Sequence, residues 1–479
     1  MNTRRRLPRA LAATALAMTV LSGCVVGPKY AVPAPPAGAT APLATAAPAA
    51  ADPTAPPDAW WSLYADPHLD AYVAEAFAAN TDLKAAEANL SGARAVLQAA
   101  KAGRYPSTTL NSESVYGRDP ATNAIVEIGG HKPESIWHYE DTFEVSYELD
   151  LFGRVRRAVE AARADAQATA AARDLVKTIV AAETARDFGE VCALGAQLTV
   201  ARQAFDLATR EAAITRQRRE VGSGLQLDVE RTEGLAAQAR AAIPPLEGQR
   251  RAALFQLAAV LGRTPAKAPE EALACETPPR LTALIAVGDG ADLLRRRPDV
   301  REAERRLAAA TARVGVVTAD LYPRVALRGF YGGAAVTPAD LTRNAGLIWG
   351  VGPSISWTFP NQAGPRARVR QAQAGASAAL DGFDSVVLRA LKEAEQTLAI
   401  YSAELDRRQA LGDVQARAQE AFRLARGELE AGAVSPLDVL VAEQTLIGAN
   451  AAVAQSDAAL VQDQIAVFKA LGGGWQRQA

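Results

Sequence analysis

The sequence has little of what metal sites and nucleic-acid-binding surfaces require. Its 479 residues include 3 His and 3 Cys, and 52 Lys and Arg stand against 53 Asp and Glu, for a formal net charge of −1. A balanced charge leaves no broad positive surface for the phosphates of a nucleic acid. Three histidines are few for a protein that binds metals or relays protons. The composition therefore argues against both functions.

Catalytic motifs are missing as well. The chain contains no G-x-S-x-G, no G-x-x-x-x-G-K-[ST] and no H-E-x-x-H, the signatures of several hydrolase, nucleotide and zinc sites. Gly222-Ser223-Gly224 resembles a phosphate loop only superficially, because no strand precedes it and no Gly-Lys-Ser/Thr follows. His131 and His138, assigned to the first hairpin loop, lack a nearby Cys or carboxylate cluster. We expect no enzymatic activity, no metal site and no cofactor.

The N-terminus has the order of a bacterial lipoprotein signal. A run of arginines precedes an apolar stretch at 10–20, which is shorter than the about 20 residues that span a bilayer. It ends in Leu21-Ser22-Gly23-Cys24, which resembles a lipobox and predicts a covalent lipid on Cys24. An ordinary signal peptide with an incidental Cys is the alternative. In the lipoproteins it resembles, Val25 rather than Asp after the Cys favours the outer membrane.

Two further features of the composition concern the tether and the remaining cysteines. Residues 24–59 are rich in Pro and Ala and nearly free of charge, so we expect an extended tether. Cys192 and Cys275 are far apart and lie in different kinds of segment. We expect two packed free thiols, with a disulfide as the alternative in an oxidising compartment.

The mature chain repeats itself, which predicts two copies of one structural unit. Tyr105-Pro106 recurs as Tyr322-Pro323. A second set recurs 210 positions later in the same order: Gly222, Leu227, Asp228, Val229 and Glu233 become Gly432, Leu437, Asp438, Val439 and Glu443. Each copy has an alternating stretch followed by a long Ala-rich helical stretch that is interrupted by Gly.

The alternating stretches predict strands with one apolar and one polar face. Residues 142–151 alternate without exception, and 347–359 form the corresponding stretch of the second copy. We expect their partners at 107–116 and 324–331. Strands of about ten residues with aromatics on one face fit the wall of a membrane barrel. Four strands cannot close a barrel, so closure requires further chains. Three chains would supply twelve strands.

The helical stretches are long enough for a tunnel. No Pro occurs between Arg154 and Val221, and 369–430 behaves alike, which predicts helices approaching ~100 Å that pack in coiled-coil style. Each ends in a turn, and a return helix begins near Asp228 or Asp438. A carboxylate in the first turn favours the helix dipole, which is the simplest explanation of both aspartates.

We therefore expect the following division of the chain: signal peptide 1–23, lipidated tether 24–59, first N-terminal helices 60–104, first β-hairpin 105–151, first long helix pair 152–265, linker 266–290, second N-terminal helix 291–321, second β-hairpin 322–359, second long helix pair 360–472 and C-terminal tail 473–479.

Several motifs resemble those of the outer membrane factor family, the TolC-like export channels, in the lipoprotein branch that serves resistance-nodulation-division pumps. They are Gly27-Pro28-Lys29-Tyr30 after Cys24, Trp60-Trp61 with Asp66-Pro67, Leu294-Arg295-Arg296-Arg297-Pro298-Asp299-Val300-Arg301 with Ala303-Glu304 after it, and Pro436-Leu437-Asp438-Val439-Leu440. The resemblance covers the whole mature chain.

The resemblance implies an α+β membrane protein with an internal two-fold repeat. Three chains would form a twelve-stranded outer-membrane barrel, continued by a periplasmic α-helical tunnel with lipid anchors at Cys24. A periplasmic adaptor and an inner-membrane resistance-nodulation-division pump would dock at the closed end of the tunnel.

The resemblance also implies roles for particular residues. Those at the docking tips are Gly222, Ser223, Gly224, Leu225, Gly432, Val434, Ser435 and Pro436. Asp228 and Asp438 match carboxylates that narrow the pore. Family members often carry a second Asp three residues after the latter, where this chain has Val441.

The sequence thus predicts an outer-membrane channel that passively exports small molecules, such as drugs or toxic compounds, from an inner-membrane pump. A structural or adhesive coiled-coil lipoprotein is the alternative, but it leaves the two strand pairs unexplained. A periplasmic enzyme is opposed by the missing catalytic motifs.

We predict that Cys24→Ser abolishes incorporation of radiolabelled lipid while the protein still folds, because the lipid anchors the chain and lies outside its core. Labelling of cells that express the wild type and the variant tests this. A mature N-terminus at any residue other than Cys24 would contradict the prediction.

Overall fold

The computed structural model describes residues 25–44, 51–52, 57–118, 128, 135–281 and 285–474. Cys24, the signal segment and His131 lie outside the described residues. The helices are α1 Pro67–Ala79, α2 Thr81–Ala102, α3 Arg154–Glu220, α4 Gln226–Ala241, α5 Ile243–Val260, α6 Gly290–Arg296, α7 Pro298–Ala319, α8 Ala363–Glu430 and α9 Pro436–Ala470. The strands of the main sheet are β1 Ser107–Gly117, β2 Ile136–Leu149, β3 Arg324–Ala335 and β4 Leu347–Ser356.

The chain divides into two compact units. The strand unit comprises the described residues of 1–33, 90–168 and 303–383, and the helix unit those of 34–89, 169–302 and 384–479. Each unit draws segments from both copies of the repeat.

The strand unit contains one antiparallel sheet in the order β1-β2-β3-β4, which confirms the four predicted strands. β2 is longer than predicted and includes His138, which therefore lies in the strand rather than in the hairpin loop. Within this sheet, β1 and β4 each pair along one edge only, so each presents a free row of backbone donors and acceptors.

The two faces of the sheet differ in chemistry because apolar and polar residues alternate along the strands. One register row consists of exposed large apolar residues from all four strands: Leu110, Phe143, Tyr331 and Trp349. The opposite face carries polar pairs such as Glu113 with Glu140. An exposed apolar patch of this kind is typical of a surface that contacts a membrane or another protein.

Aromatic residues gather at both ends of the apolar face. Tyr116 and Trp137 lie 5.5 Å apart between ring centroids at the hairpin end. Trp357 and Phe359 stack 4.9 Å apart just beyond the other end of β4. Two aromatic clusters that bracket an apolar band are typical of a strand sheet in a membrane.

Two very long helices dominate the rest of the chain. α3 has 67 residues and α8 has 68, so each extends for roughly 100 Å at 1.5 Å per residue. The return helices differ. α9 continues for 35 residues, whereas the first return helix is divided into α4 and α5 just before Pro244 and Pro245, because proline lacks an N–H and clashes with the preceding turn.

α9 alone, among the helices of the described residues, is long and apolar enough to cross a membrane. Its apolar side chains have another explanation, since Val461, Ile465 and Phe468 are buried in the core of the helix unit. α9 is therefore a core helix of this unit.

The core of the helix unit is organised around Trp60. Its indole stacks on Phe468 of α9 with ring centroids 4.9 Å apart, and both side chains are fully buried. Tyr72 of α1 meets Phe188 of α3 edge to face at 5.5 Å. The Trp60-Trp61 motif thus joins the N-terminal segment to helices of both repeats.

Arg297 holds three helices of this unit together. Its guanidinium donates to the Ala470 carbonyl at the end of α9 (2.7 Å), to Asp299 at the start of α7 (2.8 Å) and to Glu393 of α8 (2.7 Å). Arg297 is 8% exposed, and a buried cation needs such partners. The Arg-rich motif that opens the second repeat therefore has a structural role here.

The predicted tether is wrong for part of its length, because described residues 25–44 pack on the protein. In the strand unit, Val26 N donates to the Phe152 carbonyl (3.2 Å). Gly27 packs closely on Gly315, because a Cβ added to Gly27 would lie 2.5 Å from the Cα of Gly315. In the helix unit, Ala39 is buried. Part of the segment also folds on itself, since Ala39 N donates to the Pro36 carbonyl (3.0 Å) and Ala41 N to the Gly38 carbonyl (3.1 Å).

Cys192 and Cys275 form a disulfide, so the expectation of two free thiols is wrong. Cys192 is buried within α3, and Cys275 follows a short 3₁₀ helix, Glu270–Ala274. Arg250 of α5 donates to the Cys275 carbonyl (2.6 Å) and to the Val191 carbonyl (3.1 Å). The tertiary path of α5 brings together cysteines that are 83 residues apart.

We predict that Cys192→Ser combined with Cys275→Ser lowers the free energy of unfolding by roughly 2–5 kcal/mol, because the disulfide restricts the unfolded chain. Urea unfolding of the detergent-solubilised protein measures the change. Reductant should lower the stability of the wild type and leave the double variant unaffected. Two alkylatable thiols in denatured, unreduced wild type would contradict the prediction.

Candidate functional site

The two helix turns, predicted as tips, have the same backbone structure. At the end of α3, Ser223 N donates to the Arg218 carbonyl (2.9 Å) and Gly222 N to the Arg219 carbonyl (3.0 Å). At the end of α8, Ala433 N and Gly432 N make the same two bonds to residues five and three positions back, at 2.8 Å and 3.1 Å. This pair of bonds is the Schellman motif, which satisfies carbonyls at a helix end.

Glycine is required at these turns for a backbone reason. Gly222 has φ +79° and Gly432 has φ +76°, and the space around both is open. A positive φ is strained for residues with a Cβ. The conformation of the turn therefore explains both glycines without any partner protein.

The helices that follow the turns begin differently. Ser435 caps α9 in a capping box, because its hydroxyl oxygen accepts from Asp438 N (3.4 Å) and its N–H donates to the Asp438 carboxylate (2.9 Å). The Ser435 hydroxyl also donates to that carboxylate (2.6 Å). These hydrogen bonds, first that from the hydroxyl, hold the pKa of Asp438 below its ordinary value. At the start of α4 the corresponding residue is Leu225, which has no side-chain cap.

Asp228 and Asp438 therefore have different environments despite their equivalent positions. Asp438 is committed to its own helix end, as the simplest explanation of these aspartates predicts. Asp228 has no capping residue before it, and its carboxylate lies 3.7 Å from Arg231 one turn later. The position of Arg231 corresponds to Val441 in the second copy.

The structure brings the first turn beside the start of α9. A cavity of about 410 Å³ is lined by residues of both, including Gly222, Ser223, Gly224, Leu225, Asp228 and Pro436. Gly432, Val434, Ser435 and Asp438 do not line it. Of the predicted site residues, those of the first turn thus share one cavity with Pro436.

Glu443 is a residue of this cavity that the sequence reasoning did not identify as functional. It is 1% exposed, and its Oε1 has no hydrogen-bond partner among the described residues. Burial, followed by the charge of Glu211, raises the pKa of Glu443 to about 7 from 4.5, while Arg426 acts to lower it. Its recurrence with Glu233 marked the position, but only the packing shows that the second copy is buried.

Large apolar side chains around the turns face solvent. Val221 is 74% exposed and Leu225 67% exposed. Leu227, Leu437 and Val441 are also exposed. Exposed apolar groups concentrated at one end of a helical unit are typical of an interaction surface.

Within the described residues, no group of three or more His, Cys, Asp or Glu has an arrangement that could hold a metal ion. The cavity contains carboxylates, but they do not converge as a ligand set. The predicted lipidation site at Cys24 lies outside the described residues.

Comparison with known proteins adds a family to this geometry. The family described as outer membrane efflux protein matches residues 72–263 and 291–473, one range for each copy of the repeat. The pyoverdine export outer membrane protein OpmQ of Pseudomonas putida is 30% identical and covers 98% of both chains. The probable outer membrane lipoprotein SilC of Salmonella typhimurium is 27% identical over 95% of this chain and 97% of its own. A solved structure of the outer-membrane channel OprN has a TM-score of 0.87 at 33% identity and covers 95% of this chain and 100% of that chain.

We predict that Gly432→Ala destabilises the end of α8 by about 1–2 kcal/mol, because alanine is strained at positive φ. Gly427→Ala is the matched control. Gly427 lies inside α8 with open space around it, so alanine should stabilise the helix by about 0.5–1 kcal/mol. Hydrogen exchange of amides in the last turns of α8 measures both. Equal stabilisation by the two variants would contradict the assignment.

Proposed function

This chain belongs to the outer membrane efflux protein family, and we propose that it is the passive exit duct of a three-part efflux system. As a member, it is an outer-membrane channel for efflux. In the proposal, small molecules such as drugs or toxic compounds pass from an inner-membrane pump through the duct to the outside. The observation that carries the proposal is the exposed apolar face of a sheet whose two edge strands each leave their outer edge without a partner strand.

The unpaired edges support assembly into a homotrimer. In lipid, each unpaired backbone group costs several kcal/mol, so β1 and β4 need partners. β1 of one chain pairing with β4 of the next would satisfy both edges and close the sheet into a barrel. Three chains give twelve strands, an even number in the range that such barrels use. The polar face would then line the lumen.

The long helices support a periplasmic tunnel that continues the barrel. α3 and α8 are similar in length, as a tube with level ends requires. We propose that the chain divides into the segments that the sequence predicts, except that residues 25–44 are a packed segment rather than part of a tether. A lipid on Cys24 would anchor the assembly from the end of that segment.

We place the pore constriction at Asp228 and Asp438. In a trimer they would contribute six carboxylates near the periplasmic end. Like charges that crowd in a narrow pore attract cations and focus the field. Val441 stands where a second Asp of the family would lie, so the constriction would be leakier than a double ring of carboxylates.

The turns at 222–225 and 432–436 are the proposed docking tips for a periplasmic adaptor, which would couple the duct to a resistance-nodulation-division pump. Exposed Val221 and Leu225 support this assignment. Movement of the helices on docking would open the constriction. The family is one of channels, and we propose that this chain has no catalytic activity.

The alternative of a structural or adhesive coiled-coil lipoprotein accounts for α3, α8 and the anchor. It gives no reason for Leu110, Phe143, Tyr331 and Trp349 to form an apolar row on the outside of a sheet. The duct explains that row as contact with lipid.

We predict that purified protein has about three times the mass of one chain and forms cation-selective channels in planar bilayers.

Asp228→Asn with Asp438→Asn should lower the cation-to-anion permeability ratio several-fold, because the pore loses its carboxylates. Reversal potentials in a salt gradient measure this ratio.

The matched control for this experiment is Ser435→Ala, which removes the helix cap and keeps both charges. It should leave the selectivity close to that of the wild type. A stable folded monomer or a wild type without conductance would refute the duct. Unchanged selectivity in the double variant would leave Asp228 and Asp438 as helix-start residues.

A further inference from the structure

The two copies of the repeat have the same Arg and Glu at equivalent positions but place them differently. In the first copy, Arg216 of α3 forms an exposed ion pair with Glu233 of α4. The equivalent residues 210 positions later are Arg426 of α8 and Glu443 of α9. Arg426 lies 3.8 Å from Glu211 of α3 instead. The second copy has thus exchanged a pair between neighbouring helices for a contact between repeats.

Glu211 is present in the first copy only. Position 421, its equivalent in the second copy, is alanine, so only one copy supplies the additional carboxylate. Arg426 lies beside Glu211, and the buried Glu443 has no hydrogen-bond partner for Oε1 among the residues that the structure describes. Burial of an ionised carboxylate without a partner is costly, whereas the protonated acid is tolerated more easily.

The charged groups that face Glu443 come from every helix around the cavity. α3 contributes Glu211 and Arg218, α4 contributes Asp228, and α8 contributes Arg426. The residues of α9 that line the cavity are otherwise Pro436, Val439 and Leu440, which are apolar. The cavity of about 410 Å³ leaves room for side chains to rearrange.

We propose that Glu443 is a proton-operated latch between the repeats at the turn end of the helix unit. The protonated side chain remains buried and leaves Arg426 on Glu211, which keeps α8 and α9 packed against α3. The ionised side chain attracts Arg426, and the two form an ion pair like that of Arg216 and Glu233 in the first copy. The contact between repeats is then lost, and the helix ends loosen.

The direction of the pH dependence follows from the raised pKa of Glu443. The packed arrangement binds a proton up to about pH 7, whereas an exposed Glu loses it near 4.5. The stabilisation by the latch is therefore complete below pH 4.5, the ordinary pKa of Glu, and is lost as the pH rises through about 7. Acidic conditions keep the packing closed, and neutral to alkaline conditions loosen it.

Hydrogen exchange of the full-length, detergent-solubilised protein tests the latch directly. Amides in 205–220 and 426–443 of the wild type should lose at least about tenfold in protection between pH 5.5 and pH 8, since one pKa unit corresponds to a factor of ten. Glu443→Gln, which mimics the protonated acid, should remain protected at pH 8. Comparing variants at the same pH cancels the intrinsic pH dependence of exchange.

Two further variants separate titration from a merely structural role. Glu233→Gln removes the equivalent exposed carboxylate and should keep the transition of the wild type. Arg426→Gln removes the cation that both arrangements share, so protection should already be reduced at pH 5.5 and the transition should be lost. A wild type without the transition, Glu443→Gln with the full transition, or Arg426→Gln with the full transition would overturn the latch.

The effect of the latch on the channel entrance rests on the proposed function and has its own measurement. The closed-state conductance of the wild type in planar bilayers should rise between pH 5.5 and pH 8, and that of Glu443→Gln should remain low. Hydrogen exchange does not depend on channel conductance, so the latch and the duct can each be refuted independently of the other. A pH-dependent exchange transition in a protein without conductance would overturn the duct and support the latch.

Discussion

The free hydrogen-bonding edges of β1 and β4 are the constraint on which the architecture depends. The sheet exposes a row of large apolar residues on one face, which requires an apolar phase around it. In that phase water cannot satisfy an open edge. The sheet therefore needs further strands beyond its own four, and copies of the same chain are the simplest source. The proposed trimer, barrel and lumen all follow from this backbone requirement.

The helix unit solves a different problem, which is to hold two copies of one repeat in register over a great length. Trp60 fills the core between segments of both copies, and Arg297 joins the ends of α9, α7 and α8 through short hydrogen bonds. The disulfide at Cys192 adds a covalent link between α3 and the segment after α5. The turns are ordered by local contacts instead, which are the Schellman bonds at both helix ends and the cap on α9.

The two turns show how one backbone motif supports different chemistry. Both helices end in the same Schellman motif with a glycine at positive φ. Ser435 then caps α9 and hydrogen-bonds to Asp438, whereas Leu225 provides no side-chain cap before Asp228. The repeat also differs in its charges, because Glu211 has no equivalent and takes Arg426 away from Glu443. Small substitutions at equivalent positions thus make the two halves of a symmetric scaffold respond differently to ionisation.

The sequence by itself determined the four strands, the two long helices and the turns, because these depend on periodicity, proline placement and glycine at fixed offsets. Its short motifs carried the resemblance to the family. Alternation from residue 142 to 151 specified one face of the sheet before any contact was known. The tertiary structure alone decided the Cys192–Cys275 disulfide, the packed segment at 25–44 and the isolation of Glu443. Each of these depends on which distant segments come together, and sequence spacing carries no information about that.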